Sequence, residues 1–133
     1  MSVTLEQAQA IVEAGKAKAT EIGVPMNIAV VDAGNNLSAF VRQDGAWLGS
    51  IDIAQGKAFT ARAFDSATGD LYTETQPGGS LYGLDASNQG HVITFPGGIP
   101  LTDGDTVIGA VGVSGGTVDQ DQEVAEAAVE GLS

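Results

Sequence analysis

The stretch MNIAVVDAGNNLSAFVR, residues 26–42, predicts the hairpin from which the sheet is built. Its first part, MNIAVVD, is apolar at neighbouring as well as alternate positions, which is typical of a strand buried on both faces. The residues AGNN follow as a turn, and LSAFVR reads as the second strand. Asp44-Gly45 then ends the pattern. The chain therefore contains a buried antiparallel hairpin in its first third.

A helical pattern precedes this hairpin. Thr4 and Gln7 form the sequence of a capping box, and apolar or small residues recur every three or four positions as far as Ile22. Gly23 and Pro25 end the helix, because glycine takes the left-handed cap and proline cannot continue the hydrogen-bond ladder.

A second helical pattern follows the hairpin. It runs from Trp47 to about Phe64, and its stripe consists of Trp47, Ile51, Ala54, Ala58 and Ala61. Because most of these side chains are small, we expect the helix to pack closely on its neighbour.

The middle of the chain is irregular. Thr68 begins a short helical turn, and QPGGSLYGLDASNQG, residues 76–90, is long enough to predict a binding loop. The segments HVITF (91–95) and GIPLTD (98–103) flank Pro96-Gly97 and predict a second hairpin.

The last third supplies one more strand and one more helix. TVIGAVGVSG, residues 106–115, is an apolar central strand, and a helix capped by Thr117 or Asp119 follows, with Val124, Ala128 and Leu132 as its buried stripe. Tight turns between consecutive strands favour antiparallel pairing. We therefore predict a single α+β domain over residues 1–133, with a five-stranded, mainly antiparallel sheet covered by helices.

Composition excludes several classes of function. Seventeen acidic and five basic residues give a net charge of −12, which repels nucleic acids and anionic membranes. The chain has no cysteine, which excludes disulfides and thiolate chemistry and fits a reducing compartment. No run has the length and hydropathy of a membrane span or a signal sequence. We expect a cytoplasmic protein without nucleic-acid or membrane partners.

Two motifs suggest chemistry that their context does not support. GAVGVSGG, residues 109–116, has the wrong glycine spacing for a dinucleotide site and lies too near the C-terminus. Asp119, Asp121 and Glu123 lack the loop of a calcium site and suit a helix N-terminus instead.

Three cationic side chains are grouped in one part of the sequence. Arg42 ends a predicted strand, while Lys57 and Arg62 lie on the next helix. Arg42 and Lys57 are candidates for holding a carboxylate ligand, and Asp44 is positioned to orient them or to move a proton. The alternative is an ion pair that ties the strand to the helix.

The single histidine has three interpretations. His91 shares a face with Ile93 and Phe95 if HVITF is a strand. Its imidazole is a candidate axial ligand of haem iron, which is the one metal role we assign, or a candidate general base. Alternatively it is a structural residue bonded to a backbone carbonyl.

Three stretches together resemble one known family. IAVVDAGNNLSAFVRQDGAWLGSIDIAQGKAFTARAF (28–64), YGLDASNQGHVITFPGGIPL (82–101) and VIGAVGVSGGTVDQDQEVAEAA (107–128) are similar to the GlcG/HbpS family, which includes the C-terminal domain of PduO-type proteins. The likeness covers nearly the whole chain. The matching positions are Asp32, Gly34, Arg42, Asp44, Gly45, Lys57, Tyr82, Gly83, Gly97, Gly98, Pro100 and the run Gly112 to Gly115.

The resemblance implies a profilin-like, three-layer α/β/α fold that assembles into dimers or larger rings such as octamers. It also implies haem as a possible cofactor. In this setting residues 95–100 resemble a rigid lip, whose backbone amides at Gly97 and Gly98 are able to approach an anionic group. Tyr82, Asn88 and His91 line its near side. The alternative is a tight turn buried against a neighbouring subunit.

Three functions follow as hypotheses. The first is a homo-oligomeric protein that binds a small molecule or cofactor, with haem as one candidate. The second is an enzyme without a cofactor that acts on a small oxo- or hydroxy-acid. The third is an accessory or scaffold subunit. The candidate catalytic residues are Arg42, Asp44, Lys57 and His91, and the candidate ligand-binding residues are Arg42, Lys57, Tyr82, Asn88, His91, Phe95, Gly97, Gly98 and Pro100.

Overall fold

The sheet has four strands in the order β2-β1-β4-β3, each antiparallel to its neighbours. In this computed structural model, which describes residues 1–133, the strands are β1 (Asn27–Asp32), β2 (Leu37–Arg42), β3 (Gly98–Asp103) and β4 (Thr106–Ser114). The predicted hairpin at residues 26–42 is confirmed as β1 and β2. Its turn places Asn35 at a φ of 66°.

Three helices cover the sheet: α1 (Leu5–Ile22), α2 (Gly49–Phe64) and α3 (Val118–Glu130). The capping box predicted at Thr4 and Gln7 is confirmed, and Thr117 caps α3 in the same way. α2 begins two residues after Trp47, whose side chain is exposed, so Trp47 is not part of the buried stripe. None of the helices combines the length and hydropathy needed to cross a membrane.

The helices form two layers, one on each face of the sheet. α1 and α3 pack on the face that carries Ile28, Val30, Val111 and Val113, and this is the larger apolar core. α2 packs on the opposite face, against small residues of β1 and β4. The α+β class is confirmed, and the strand alternation assigns the large side chains to one face and the small ones to the other.

α2 lies unusually close to the sheet at Gly112. A Cβ atom at this position would collide with the carbonyl oxygen of Ala54 and would lie 2.5 Å from the amide nitrogen of Ala58. Only glycine leaves room for the helix backbone here. Gly112 therefore serves the packing of α2 on β4.

The prediction of a fifth strand is wrong. Residues 91–95 form no ladder, and the Ile93 amide donates to the Thr60 hydroxyl of α2 at 2.9 Å instead of to a strand. The segment lies on α2, and the hairpin of this region is β3 with β4, closed by Gly104 at a φ of 61°. Alternation over five residues did not distinguish a strand from an extended segment held by a helix.

The chain between α2 and β3 is irregular, as predicted. It contains four short 3₁₀ turns, at Thr68–Leu71, Thr73–Thr75, Leu84–Ala86 and Asn88–Gly90. The end of this segment runs alongside α2, where it forms one wall of a cavity.

Candidate functional site

The cavity has a volume of about 480 Å³ and lies between three parts of the chain. α2 contributes one side, the β1–β2 turn contributes the second, and residues 89–93 contribute the third. The lining residues are Val31, Asn35, Leu37, Asp52, Ile53, Gln55, Gly56, Phe59, Gln89, Gly90, His91 and Ile93. The volume lies within the roughly 300–1,000 Å³ that small-molecule sites occupy.

His91 lines this cavity beside an aromatic ring. The centroids of the His91 and Phe59 rings are 5.8 Å apart, and the planes are tilted by 51°. The His91 backbone amide donates to Asn88, but its imidazole makes no hydrogen bond within the chain. Asn88 lies close by, in an adjoining depression lined also by Phe59 and Gln89. Both imidazole nitrogens are thus free to contact a ligand.

α2 sets the position of the His91 segment through Gly56 and Thr60. The buried Thr60 hydroxyl donates to the Gly56 carbonyl at 2.7 Å and accepts from the Ile93 amide at 2.9 Å. A Cβ atom on Gly56 would lie 2.7 Å from Cγ1 of Ile93 and 3.0 Å from the His91 carbonyl oxygen. The glycine therefore lets residues 91–93 lie directly on the helix.

The β1–β2 turn is attached to the same helix. Nδ2 of Asn35 donates to the Phe59 carbonyl at 3.1 Å, which fixes the orientation of the amide. Its Oδ1 atom is buried and has no hydrogen-bond partner. Phe59 and its neighbours in α2 thus position both opposing walls of the cavity.

Lys57 lies elsewhere, in a fully buried ion pair. Its Nζ atom is 2.9 Å from Oδ2 of Asp121 in α3 and donates to the Val113 carbonyl at 2.8 Å. The Phe95 ring lies 5.0 Å from Nζ, within cation–π range. The Lys57 side chain thereby links α2 to α3, which lies on the other face of the sheet.

Burial changes the pKa of both groups of this pair. Loss of solvation lowers the pKa of Lys57 and raises the pKa of Asp121, and the attraction between the two charges opposes both shifts. Oδ1 of Asp121 also accepts from the Gly116 amide at 2.9 Å. Every polar atom of the pair is satisfied inside the protein, so neither group is available to a ligand in this conformation.

Arg42 and Asp44 are separate from Lys57. The Arg42 guanidinium donates twice to the Ala46 carbonyl, at 2.9 and 3.1 Å, and closes the turn after β2. No hydrogen bond or ion pair joins Arg42 or Asp44 to Lys57. The alternative of an ion pair between the strand and the helix is wrong, because Lys57 of α2 pairs with Asp121 of α3 and neither Arg42 nor Asp44 forms an ion pair.

The segment at residues 95–100 packs against the buried lysine and does not line the cavity. The Gly97 amide donates to the Gln122 side chain at 3.1 Å, and the Gly98 amide donates to Thr68 at 2.9 Å. Tyr82 is exposed, and Pro100 lies in β3 opposite Ala110. Of the predicted ligand-binding residues, the structure brings His91 and Asn88 together beside the cavity, and Phe95 and Gly97 together around Lys57.

Sequence reasoning missed the contribution of α2. Asp52, Gln55 and Phe59 are spaced at three and four residues, so they share one helix face. The stripe that the sequence analysis read for this helix, from Trp47 to Ala61, does not include these residues. The spacing itself was the available signal.

Comparison with known proteins places this fold in a family. The family model described as haem degrading protein HbpS-like matches residues 3–130. The chain belongs to the HbpS-like family, which confirms the resemblance given by the sequence.

Individual relatives span the chain almost completely. An uncharacterised 15.0 kDa protein of the dhaT-dhaS intergenic region of Citrobacter freundii is 45% identical over 132 residues, which is 99% of this chain and 93% of that protein. The corrinoid adenosyltransferase PduO of Citrobacter freundii is 38% identical over 133 residues, and the chain spans 40% of its length. The crystal structure of a PduOC:heme complex has a TM-score of 0.96 and 34% identity, with 100% of this chain and 96% of that chain covered.

Proposed function

We propose that this protein binds haem in the cavity beside α2, with His91 as the axial ligand of the iron. The observation that carries the proposal is the His91 imidazole, which lies at the wall of a 480 Å³ cavity and makes no hydrogen bond within the chain. A neutral imidazole nitrogen is a common protein ligand of haem iron. The HbpS-like family, described as haem degrading, and the similar PduOC:heme complex support the same ligand.

The other lining residues fit a flat, largely apolar molecule. Val31, Leu37, Ile53, Phe59 and Ile93 supply five hydrophobic side chains around the cavity. The Phe59 ring beside His91 offers a surface against which a macrocycle can pack. In this arrangement Thr60 and Gly56 position the imidazole, and the chain supplies one axial ligand.

Titration with hemin tests the proposal. We expect a shift of the Soret band and quenching of Trp47 fluorescence with the wild type, and at least a tenfold weaker affinity with His91→Ala, because the iron loses its protein ligand. Added imidazole should restore the spectrum of the variant. Gln89→Ala is the matched control, since Gln89 lines the same wall and has no imidazole to bind iron.

A wild-type spectrum that His91→Ala leaves unchanged would contradict the assignment of the ligand. Failure of the wild type to bind hemin would contradict the function itself. An acid-processing enzyme receives less support, because Arg42 and Lys57 already have partners within the chain.

We also propose that the protein self-associates. Trp47 and Leu48 are adjacent in the chain and are 67% and 73% exposed, and adjoining exposed apolar side chains are typical of contact surfaces. Sedimentation at several concentrations should show a species larger than 13.4 kDa. Leu48→Asp should shift it towards the monomer, and a wild type that stays monomeric would contradict self-association.

A further inference from the structure

The cavity carries negative charge and no positive charge. Asp52 is the only lining residue with a full charge, and no lysine or arginine contributes to the walls. Asp52 is exposed and lies in the first turn of α2, where the helix dipole favours an acid. A carboxylate therefore lies beside any ligand that enters the cavity.

None of the five cationic side chains lines the cavity, and four of them form ion pairs within the chain. Lys16 and Lys18 form ion pairs with glutamates, and Lys57 pairs with Asp121. Arg62 pairs with Asp65, and Arg42 is held by the Ala46 carbonyl. A ligand carboxylate inside the cavity would thus meet Asp52 and a net charge of −12 without a compensating partner.

We infer that the cavity accepts the uncharged part of its ligand and excludes anionic groups, with Asp52 as the specificity-determining residue. The inference rests on the proposed function and specifies its ligand class. A neutral or cationic aromatic macrocycle enters freely, whereas one with carboxylates must keep them directed towards solvent. Haem has two propionate groups, so it binds with these groups directed away from Asp52.

The affinities of hemin and its dimethyl ester, measured by quenching of Trp47 fluorescence, test the inference. The ester keeps the iron porphyrin and removes both charges. We expect Asp52→Asn to tighten hemin binding about three- to tenfold, because the repulsion at short range is removed. The affinity for the ester should change less than about twofold by the same electrostatic argument.

Asp105→Asn is the matched control, because it changes the net charge by the same amount in the β3–β4 turn and does not line the cavity. It should alter hemin affinity less than twofold, on the order expected for a screened distant charge. If Asp52 served only to start α2, Asp52→Asn would weaken hemin binding. Charge selection predicts the opposite, that hemin binding becomes tighter. The wild-type affinity for hemin should also rise with added NaCl.

Equal effects of Asp52→Asn on hemin and the ester would overturn charge selection, as would equal effects of Asp52→Asn and Asp105→Asn on hemin. Either result leaves the haem site itself intact, since that depends on the His91-dependent Soret shift. Absence of binding by both iron porphyrins would contradict the proposed function and this inference together.

Discussion

Lys57 and Asp121 form the one ion pair of the protein that is buried on both sides. Burying two charges is costly, and here the cost is offset by a short contact, two backbone hydrogen bonds and the Phe95 ring. The pair connects helices on opposite faces of the sheet. Removing one partner leaves the other charged and buried, so the pair is sensitive to single substitutions.

Lys57→Met should lower the free energy of unfolding by about 3–5 kcal/mol, since Asp121 is left as an unpaired buried charge. Urea denaturation measures the loss. The double variant Lys57→Met/Asp121→Asn should recover much of it, because Asn keeps an acceptor for the Gly116 amide. A double variant no more stable than Lys57→Met would contradict this account.

The stability difference between the wild type and Lys57→Met should increase with pH. The pKa of Lys57 is lowered by burial, so at alkaline pH the unfolded chain holds more protons than the folded chain and the free energy of unfolding rises. Burial raises the pKa of Asp121 and the Lys57 charge opposes this, so in the variant the pKa of Asp121 is raised further and the variant loses more stability than the wild type as the pH rises through that range. Urea titrations from pH 5 to 10 measure the difference, and a constant difference would contradict the pKa directions.

At the scale of elements, one helix determines both sides of the site. α2 packs its small residues on the sheet and presents Asp52, Gln55 and Phe59 to the cavity. Thr60 holds the His91 segment from the same helix. The shape of the candidate site therefore depends mainly on where α2 lies on the sheet.

Gly112→Ala should destabilise the protein by about 2–3 kcal/mol or more, because the new Cβ atom meets helix backbone that cannot rotate away. Thermal and urea unfolding measure the effect. Gly15→Ala in α1 is the control, since its Cβ would meet side chains and no backbone: the end of Ile28 at 2.9 Å, which can move, and the Ala128 Cβ at 3.2 Å. A loss for Gly112→Ala no larger than for Gly15→Ala would show that the close packing of α2 is unimportant.

Thr60→Val should loosen residues 91–93, because it removes the acceptor of the Ile93 amide together with the side-chain donor to the Gly56 carbonyl. We expect faster hydrogen exchange at that amide and weaker hemin binding, while Thr60→Ser retains both properties. Unchanged exchange in Thr60→Val would mean that packing alone, and not this hydrogen bond, holds the segment.

At the scale of the whole molecule, self-repulsion dominates the electrostatics. Seventeen acids face five bases, and the five ion pairs involve only Glu13, Glu21, Glu123, Asp65 and Asp121 among the acids. Most carboxylates are therefore unpaired on the surface. Such a charge favours expansion of the chain and depends on the salt concentration.

Raising NaCl from low to near-physiological concentration should increase the free energy of unfolding by on the order of 1 kcal/mol, because screening weakens the repulsion. Urea midpoints at matched pH measure the gain. Asp105→Lys reduces the net charge by two and should show a smaller gain, whereas an equal gain in both proteins would point to a cause other than net charge.

Local signals in the sequence determined the helices and the first hairpin. Several signals act within a few residues and could be predicted from the sequence alone. They are the caps at Thr4 and Thr117, the stops after α1 and the turn at Asn35. The composition likewise determined the excess of acids. These features depend on chain stiffness and on hydrogen bonds between near neighbours.

Only the tertiary structure decided that HVITF lies on α2 instead of forming a strand, which residue pairs with Lys57, and where the cavity lies. Ile93 bonds to a residue 33 positions away, and Lys57 pairs with one 64 positions away. Contacts of that range depend on which elements meet when the apolar faces are buried, and a local pattern does not specify this. His91 was visible in the sequence, but the walls beside it arise because α2, the β1–β2 turn and residues 89–93 converge in space.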